Sequence, residues 1–537
     1  MVARKAKSDK RLFLGLDLGT SAVKVGLFDL AGRPLHLARR EYPLFTPRPG
    51  WVEQEPEDWW TAARAALREV LLVGARQGGS RGLEQDRPLS ALPRPPRPPG
   101  RIVAVGLSGQ APSQVLVAAD GAPLGRAILW SDRRATAEAN WLAEHITPQQ
   151  ARAWTGYATI GGVAQPPARL LWLKKHRPDD WNCCAAVIQP KDFIALQLTG
   201  RSATDRNSSY SLFNPQTGRY HPDYLAALGI EPEKMPPVLT PTSLVGEVTA
   251  AAAAATGLPA GIPVVTGTID AWCDIIGCGG ITPGCAVDVA GTSEVVALVT
   301  DHPAEGEGVY SSPLLDDLYW VGGPTQSGGK TLLWLADGFY GGEADFGRLE
   351  AEAASVPPGA EGLLFLPYLE GERAPIWDEA ARGAFVGLTG RHTRAHCARA
   401  VYEGVAFAVR DILERSETAA GVVPAALRVS GGGSRSVFWN QIKADVTGRS
   451  VQQMSVSDAA SLGAALLAAV GVGVFDGPAA AAKAMVHPAA ILQPVPGRAA
   501  CYEALFAVWR ELYPALRPTF QRLEAIQSSY HKLHSPA

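Results

Sequence analysis

The sequence predicts an α/β protein built from two similar domains, and three observations carry that prediction. The 537 residues, 47% hydrophobic and 19% charged, are enough for a large apolar core and too many for a single one. An apolar run, one acid, a Gly-Thr-Ser turn and a second apolar run stand near the start, at Leu12-Phe13-Leu14-Gly15-Leu16-Asp17-Leu18-Gly19-Thr20-Ser21-Ala22-Val23-Lys24-Val25-Gly26. The same unit returns as Ala286-Val287-Asp288-Val289-Ala290-Gly291-Thr292-Ser293-Glu294-Val295-Val296-Ala297-Leu298, and a third strand-like run enters a glycine turn and a helix at Leu427-Arg428-Val429-Ser430-Gly431-Gly432-Gly433-Ser434-Arg435-Ser436. A strand–turn–strand unit repeated so far apart implies two similar domains facing each other.

The opening unit reads as two strands joined by a tight hairpin, with Gly19 allowing close backbone approach at the turn. Its amides and the Thr20 and Ser21 hydroxyls suit phosphate oxygens, and Asp17 suits a hydrated Mg2+ beside them. An ordinary hairpin with a polar tip fits the same residues. The two copies are not equivalent, because Asp17 stands two residues before its glycine and Asp288 three before its own. Side chains alternate along a strand, so Asp288 should point away from the place Asp17 occupies, and metal work is expected of Asp17 alone.

Residues 34–44 continue as a third strand. Pro56 with Glu57 and Asp58 starts a helix whose apolar face is Trp59, Ala63, Ala66, Leu67 and Val70, ending near Gly74. Residues 77–100, rich in Pro, Gly and Arg, cannot bury a core and read as a tolerated insertion. Strands resume at 102–108, followed by the Ser108-Gly109-Gln110 turn, and 127–130 run into Ser131-Asp132-Arg133-Arg134. Lys191-Asp192-Phe193 opens a short helix, 203–209 reads as a polar loop, and 250–256 is a helix ending at Gly257. A strand over 262–266 leads to Gly267-Thr268-Ile269-Asp270 and a helix through Ile275 and Ile276. Further helices are expected around 332–336, over 394–414 and over 459–470, with a strand at 363–366.

A formal net charge of -2 argues against a nucleic-acid surface. No apolar run is long enough to span a bilayer, and the basic residues 1–11 lack the apolar core of a signal peptide, so a cytoplasmic protein is expected. The seven Cys show no zinc-site spacing and read as reduced thiols acting as small core hydrophobes.

Three glycine turns after strands, with Asp17 in the first and Asp270 before the second, form a set that resembles the FGGY carbohydrate kinases of the actin/hexokinase-like ATPase superfamily. The likeness, xylulokinase-like in detail, runs from about Leu12 to about Val470. It is sharpest at Gly383-Ala384-Phe385-Val386-Gly387-Leu388 and His396-Cys397-Ala398-Arg399-Ala400-Val401-Tyr402-Glu403-Gly404, with Cys397 where a larger aliphatic is usual. Gly371-Glu372-Arg373-Ala374-Pro375 and Ala459-Ala460-Ser461-Leu462-Gly463-Ala464-Ala465 also match. Pro166-Pro167-Ala168-Arg169-Leu170-Leu171-Trp172-Leu173 is looser, with Arg169 where a Lys is expected.

The resemblance implies two ribonuclease-H-like (actin-like ATPase) domains with an interdomain cleft. Residues 11–280 would carry the sugar site and first phosphate loop, and 281–530 the second phosphate loop and adenosine loop. It implies phosphoryl transfer from ATP to a sugar or polyol hydroxyl, with ATP and Mg2+ as cofactors. Asp270 then matches the catalytic base and Asp17 the Mg2+-associated acid. Thr20, Ser21 and Lys24 match first phosphate contacts, Gly291 and Thr292 the second, Gly329 a nucleotide contact, and Gly432 and Ser436 the adenosine loop. Asp270 also fits a helix N-cap, a compatible role.

Substrate contacts are expected of Gln110, Ala111, Trp130, Asp132, Arg133 and Asp270. Xylulokinases usually show Gly-Gln-Met-His and an amide just after the catalytic Asp. Here Gly109-Gln110 is followed by Ala111-Pro112, and Asp270 by Ala271. An imidazole and an amide that would read hydroxyls are therefore absent, and such contacts dominate discrimination between polar substrates. A ketopentose such as D-xylulose is the expected acceptor, with another pentulose, a polyol or a sugar acid as alternatives. A nucleotide- or sugar-binding regulator without turnover is the alternative from another class. The partners expected are the small-molecule acceptor and ATP, with no nucleic acid and no membrane. Oligomeric state is not legible, a homodimer being one open alternative.

Overall fold

The computed structural model describes residues 10–73, 100–156, 162–163, 165–208, 211–215, 217–341 and 345–534, the side chains of 527–534 excepted. The Pro-rich insertion thus lies outside the described residues, apart from its last, Gly100. The chain divides into two units. One comprises Met1–Gly277 with Ala460–Met485, and the other Cys278–Ala459 with Val486–Ala537.

The first unit holds β1 (Arg11–Leu18), β2 (Ala22–Asp29), β3 (Pro34–Glu41), α1 (Pro56–Val73), β4 (Arg101–Gly109), β5 (Leu244–Glu247), β6 (Pro263–Ile269) and α2 (Asp270–Gly277). Its six-stranded sheet runs β5-β6-β4-β1-β2-β3. β4 lies parallel to both β1 and β6, and the remaining pairs are antiparallel. β1 is buried from Leu12 to Leu18, as a strand covered on both faces must be. The apolar stripe of α1, Trp59, Ala63, Ala66, Leu67 and Val70, is fully buried and packs on β2 and β3.

The helix Ala459–Gly471 meets the sheet at two glycines. A β-carbon at Gly15 would sit 1.7 Å from the Ser461 carbonyl oxygen, and one at Gly106 would sit 1.8 Å from that of Ala464. Only glycine admits such contact, and the run of small residues on the helix is its complement. β6 extends three residues beyond the expected strand. Its register against β4 shifts between Val265 and Thr268, where Gly267 takes φ +66° and a β-carbon would lie 1.5 Å from the Leu107 carbonyl oxygen. Such a bulge re-aims the residues that follow it, and the strand delivers Asp270 directly onto the first turn of α2.

The second unit holds β7 (Ala286–Ala290), β8 (Glu294–Thr300), β9 (Tyr310–Leu315), β10 (Leu318–Pro324), α3 (Gly329–Phe339), α4 (Arg394–Ala420), β11 (Ala426–Ser430), α5 (Val437–Thr447), β12 (Ser450–Met454), β13 (Pro488–Leu492) and α6 (Ala499–His534). Its seven-stranded sheet runs β9-β10-β8-β7-β11-β12-β13. β11 lies parallel to β7 and β12. The five strands β12-β11-β7-β8-β10 therefore reproduce β6-β4-β1-β2-β3 of the first unit: two parallel pairings, then two antiparallel ones. The hairpin repeat seen in the sequence is a repeat of a whole sheet. Each unit is a mixed sheet flanked by helices, the arrangement of the actin-like ATPase fold.

α4 is buried without interruption from Ala398 to Leu413 and runs past the expected end at 414 to Gly421, which caps it in the left-handed conformation. The polar loop expected at 203–209, described as far as Ser208, does not face solvent: Thr204, Asp205, Asn207 and Ser208 are buried. Asp205 pairs with the buried Lys191 at 3.1 Å, accepts from Thr268 Oγ1 at 2.8 Å and accepts the Asn207 N–H, so its polarity serves an internal network. Nor are all seven cysteines core residues. Cys183 and Cys501 are exposed, because each lies on the outer side of a helix whose aromatic neighbours, Trp181 and Tyr502, take the buried positions. Among the described residues, no helix is long and apolar enough to cross a membrane.

Candidate active site

In the first unit the site grows from the β1–β2 hairpin. Register sets Asp17 opposite Lys24 on β2 and Ser108 on β4. Ser108 Oγ donates to Asp17 Oδ1 at 2.8 Å, and Lys24 Nζ stands 3.7 Å from Asp17 Oδ2. Asp17 is 3% exposed, so its charge is held by a hydroxyl and an ammonium instead of water. Asp270 is only partly buried. Its carboxylate is pushed up to about 7, first by desolvation and then by repulsion from Asp17, against the opposing pull of the Ala271 N–H and Lys24. The N–H of Ala271 donates to Asp270 Oδ1 at 2.8 Å, which is the N-cap role foreseen in the sequence.

The tip of the hairpin is pinned by its carbonyls. Tyr42 OH donates to the Gly19 carbonyl. Burial, reinforced by Asp17 and Asp270, pushes that phenol far above its ordinary value, so it stays a donor. Gln54 Nε2 donates to the Thr20 carbonyl at 2.6 Å. Gln110 Nε2 donates to Gln54 Oε1 at 2.8 Å and reaches the Gly19 carbonyl at 3.4 Å, while Gln110 Oε1 is buried with no hydrogen-bond partner. Ser21 is exposed.

The other four expected substrate residues differ in their surroundings. Trp130 Nε1 donates to Thr20 Oγ1 at 3.0 Å, which ties it to the β1–β2 hairpin and leaves the Thr20 hydroxyl proton to point elsewhere. Asp132 is fully buried. It accepts the Val52 N–H at 2.5 Å and the Arg134 guanidinium at 2.7 Å, so its carboxylate is engaged within the turn. Arg133 is exposed, and its N–H donates to the Gly50 carbonyl at 2.8 Å. Ala111, partly buried, precedes Pro112 through a cis peptide. Arg169, fully buried, donates to the Leu129 carbonyl behind this turn, and burial pushes its guanidinium down to about 9.

In the second unit the turns at Gly291, Gly328–Gly329 and Gly431 lie against one another. The N–H of Gly328 donates to the Thr292 carbonyl at 2.9 Å, that of Gly329 to the Gly291 carbonyl at 3.0 Å, and that of Lys330 to the Thr292 carbonyl at 3.1 Å. The β7–β8 hairpin thus closes the start of α3. A β-carbon at Gly329 would lie 2.6 Å from the Gly291 carbonyl oxygen, and one at Gly431 would lie 2.5 Å from that of Ala290. A β-carbon at Gly432 would meet nothing within 4 Å, so that residue faces open space. Ser436 Oγ accepts the Trp439 N–H at 2.9 Å and caps α5. Asp288 is buried with Glu294 around Lys443, at 2.5 Å and 2.9 Å respectively, one residue before Val289, which corresponds to Asp17, and so on the opposite face of its strand.

Sequence reasoning overlooked Ser108 as the partner of Asp17, along with Tyr42, Gln54 and the Lys443 cluster. Ser108 had a usable signal, an isolated hydroxyl at the end of an apolar strand. Tyr42 and Gln54 carry none, because their roles depend on where the chain after β3 returns.

Asp17, Lys24 and Asp270 offer a proton acceptor tuned near neutrality beside a second acid. For Mg2+ the donor set fits one mode of binding. Among the described residues no group of three or more His, Cys, Asp or Glu could cage a metal, while one buried carboxylate suits an ion that brings waters and phosphate oxygens with it.

Comparison with known proteins bears on these features. Residues 12–277 match the N-terminal domain of the FGGY family of carbohydrate kinases, and residues 286–472 match its C-terminal domain. The chain is 31% identical over 514 residues to a xylulose kinase of Staphylococcus epidermidis, covering 94% of this chain and 97% of that one. It is 32% identical over 528 residues to an L-xylulose/3-keto-L-gulonate kinase of Escherichia coli, covering 95% and 98%. The crystal structure of a xylulose kinase from Rhodospirillum rubrum superposes with a TM-score of 0.80 at 32% identity, covering 95% of this chain and all of that one.

Proposed function

The chain belongs to the FGGY family of carbohydrate kinases, and on that premise we propose that it phosphorylates a hydroxyl of a ketose, D-xylulose first among them, with Asp270 as the general base. The observation that carries this reading is the Asp270 carboxylate, raised to about 7 by burial and by Asp17 at the end of a bulged strand. A base tuned to that value is poised to take a hydroxyl proton at neutral pH.

In the proposed reaction the acceptor hydroxyl gives its proton to Asp270. Its oxygen forms a bond to the γ-phosphorus of ATP as the bond to the bridging oxygen breaks, and ADP leaves. Phosphoryl transfer depends on positioning and charge neutralisation more than on covalent help. On this reading Thr20, Ser21 and Lys24 are phosphate contacts of the first unit; in the second unit Gly291 and Thr292 are phosphate contacts, Gly329 backs their hairpin, and Gly432 and Ser436 are adenosine contacts. Asp17 would hold Mg2+, which supplies charge neutralisation on the phosphates when bound.

Gln110, with its unpaired buried carbonyl oxygen, reads one acceptor hydroxyl, and Trp130, Ala111 and Arg133 border the same place. Asp132 acts behind them, fixing the turn that carries Trp130. The ketose assignment is supported by the names of the relatives compared above. The test is a coupled ADP-release screen over ketoses, polyols and sugar acids. The highest kcat/KM is expected with D-xylulose. A polyol or sugar acid in first place overturns the acceptor, and no stimulation by any compound with ATP bound favours a binding protein without turnover.

A further inference from the structure

Gln54 was not among the residues expected at the site, yet it sits at the centre of the first unit's polar network. It is 1% exposed, and all four hydrogen-bonding positions of its carboxamide are used. Oε1 accepts from Trp59 Nε1 at 3.1 Å and from Gln110 Nε2 at 2.8 Å. Nε2 donates to the Thr20 carbonyl at 2.6 Å and the Pro43 carbonyl at 3.3 Å. An amide can be turned end for end, but an indole N–H can only donate. The fully buried Trp59 therefore fixes which end of Gln54 is oxygen. That choice makes Gln54 a donor to the hairpin and an acceptor for Gln110, and it forces Gln110 to present its own oxygen, the buried unpaired one, to whatever lies beyond.

The hairpin feels the other end of the chain. A trans peptide unit points its C=O and the next N–H in opposite directions. With the Gly19 carbonyl held by Tyr42 and Gln110, and the Thr20 carbonyl by Gln54, the N–H groups of Thr20 and Ser21 are turned the other way.

We propose that Gln54 is a positioning residue that couples the acceptor to the phosphate: an acceptor hydroxyl bound at Gln110 is felt, through Gln54, by the two amides of the Gly19–Ser21 turn. The proposal rests on the reading that Gln110 faces the acceptor and the hairpin faces phosphate. A burial-only role for Gln54 would affect stability and both substrates alike. Coupling through it has a separate signature, since occupancy of one site must change affinity at the other, reciprocally.

The experiment measures the Kd of a non-hydrolysable ATP analogue, with Mg2+, in the presence and absence of saturating D-xylulose, for the full-length protein, Gln54→Met and Trp59→Phe. If D-xylulose gives no ADP release, the acceptor that stimulates release most takes its place, which separates failure of the acceptor assignment from failure of the coupling. In the native protein the acceptor should tighten the analogue by roughly 5-fold or more. Gln54→Met should weaken the analogue more with acceptor present than without it, so that most of the tightening is lost. Trp59→Phe, which spares Gln54 but frees its amide to turn, should lose part of it and decides the matter should Gln54→Met prove unfolded. Full tightening in the folded variants, no tightening in the native protein, or an equal weakening with and without acceptor each overturns the proposal.

Discussion

Ser108 Oγ, on β4, donates to Asp17 Oδ1, on β1, at 2.8 Å, across a parallel pairing that sets the two residues side by side. The acid that the sequence marks for metal thus has one oxygen committed to the protein and the other facing Lys24. Ser108→Ala leaves a buried carboxylate short of a donor, which costs about 1–3 kcal/mol of stability. It is also expected to shift the Mg2+ titration of ADP release to higher concentration. An unchanged Mg2+ curve at the lowered Tm would mean that Ser108 serves folding alone.

Turnover should rise with pH. A base must be unprotonated to act, and Asp270 titrates near 7, so kcat/KM is expected to climb through that region and level off above it. Lys24 holds the Asp270 value down. Lys24→Met should therefore move the midpoint of the profile upward, in addition to lowering its plateau. A midpoint that stays in place would remove Lys24 from the electrostatics of the base.

Asp270→Asn should abolish sugar phosphorylation with little change in nucleotide affinity, and it should also stabilise the fold. The Asp270 value in the folded protein lies above its unfolded value near 4. Its contribution to stability is thus complete below the unfolded value and is lost as pH rises to and beyond about 7. At pH 8 the neutral variant escapes that loss, so its Tm should exceed that of the native protein by a few degrees, and the difference should close near pH 4. Equal Tm values at pH 8 would argue that the carboxylate is solvated in the folded state.

Lys443 contacts two acids at complete burial. Glu294 is raised well above its ordinary value, chiefly by desolvation and then by Asp288, so burial favours its neutral form. Glu294→Gln should accordingly change stability by less than about 1 kcal/mol, whereas Lys443→Met strands a buried charge and should cost about 3–5 kcal/mol. Chemical denaturation of the two variants compares them directly, and equal losses would mean that the cluster depends on Glu294 as much as on Lys443.

Gly15→Ala should be far more damaging than a glycine-to-alanine change in a strand normally is. The added carbon would occupy the place of the Ser461 carbonyl oxygen, and neither backbone can yield without breaking the contact. A soluble variant with native-like Tm would show that the helix Ala459–Gly471 can shift on the sheet.

The repeated hairpin, the acid that ends β6, the stripe of α1 and the small-residue helix were all legible in the sequence, because each is written in local spacing. So was the opposite placement of Asp17 and Asp288, which follows from counting residues along a strand. The engagement of Asp132 by Arg134 and Val52 was not, nor were the uses of Tyr42 and Gln54. Polar side chains in one stretch look alike until the chain's return path decides which of them meet a carbonyl. α6 was passed over for a related reason. Its aromatic residues Tyr502, Phe506 and Trp509 are buried against Phe407, on a helix that continues through Pro514 and Pro518.

The first unit takes its last helical layer from Ala460–Met485, which the ribosome makes long after β1 and β4. Until that segment emerges, Gly15 and Gly106 lie on a sheet face without its helix, and every strand of the second unit's sheet but β13 has already been made. Domains ordinarily fold one after another as they leave the ribosome. Here the earlier domain is finished only after most of the later one has been synthesised, so the two are obliged to mature together.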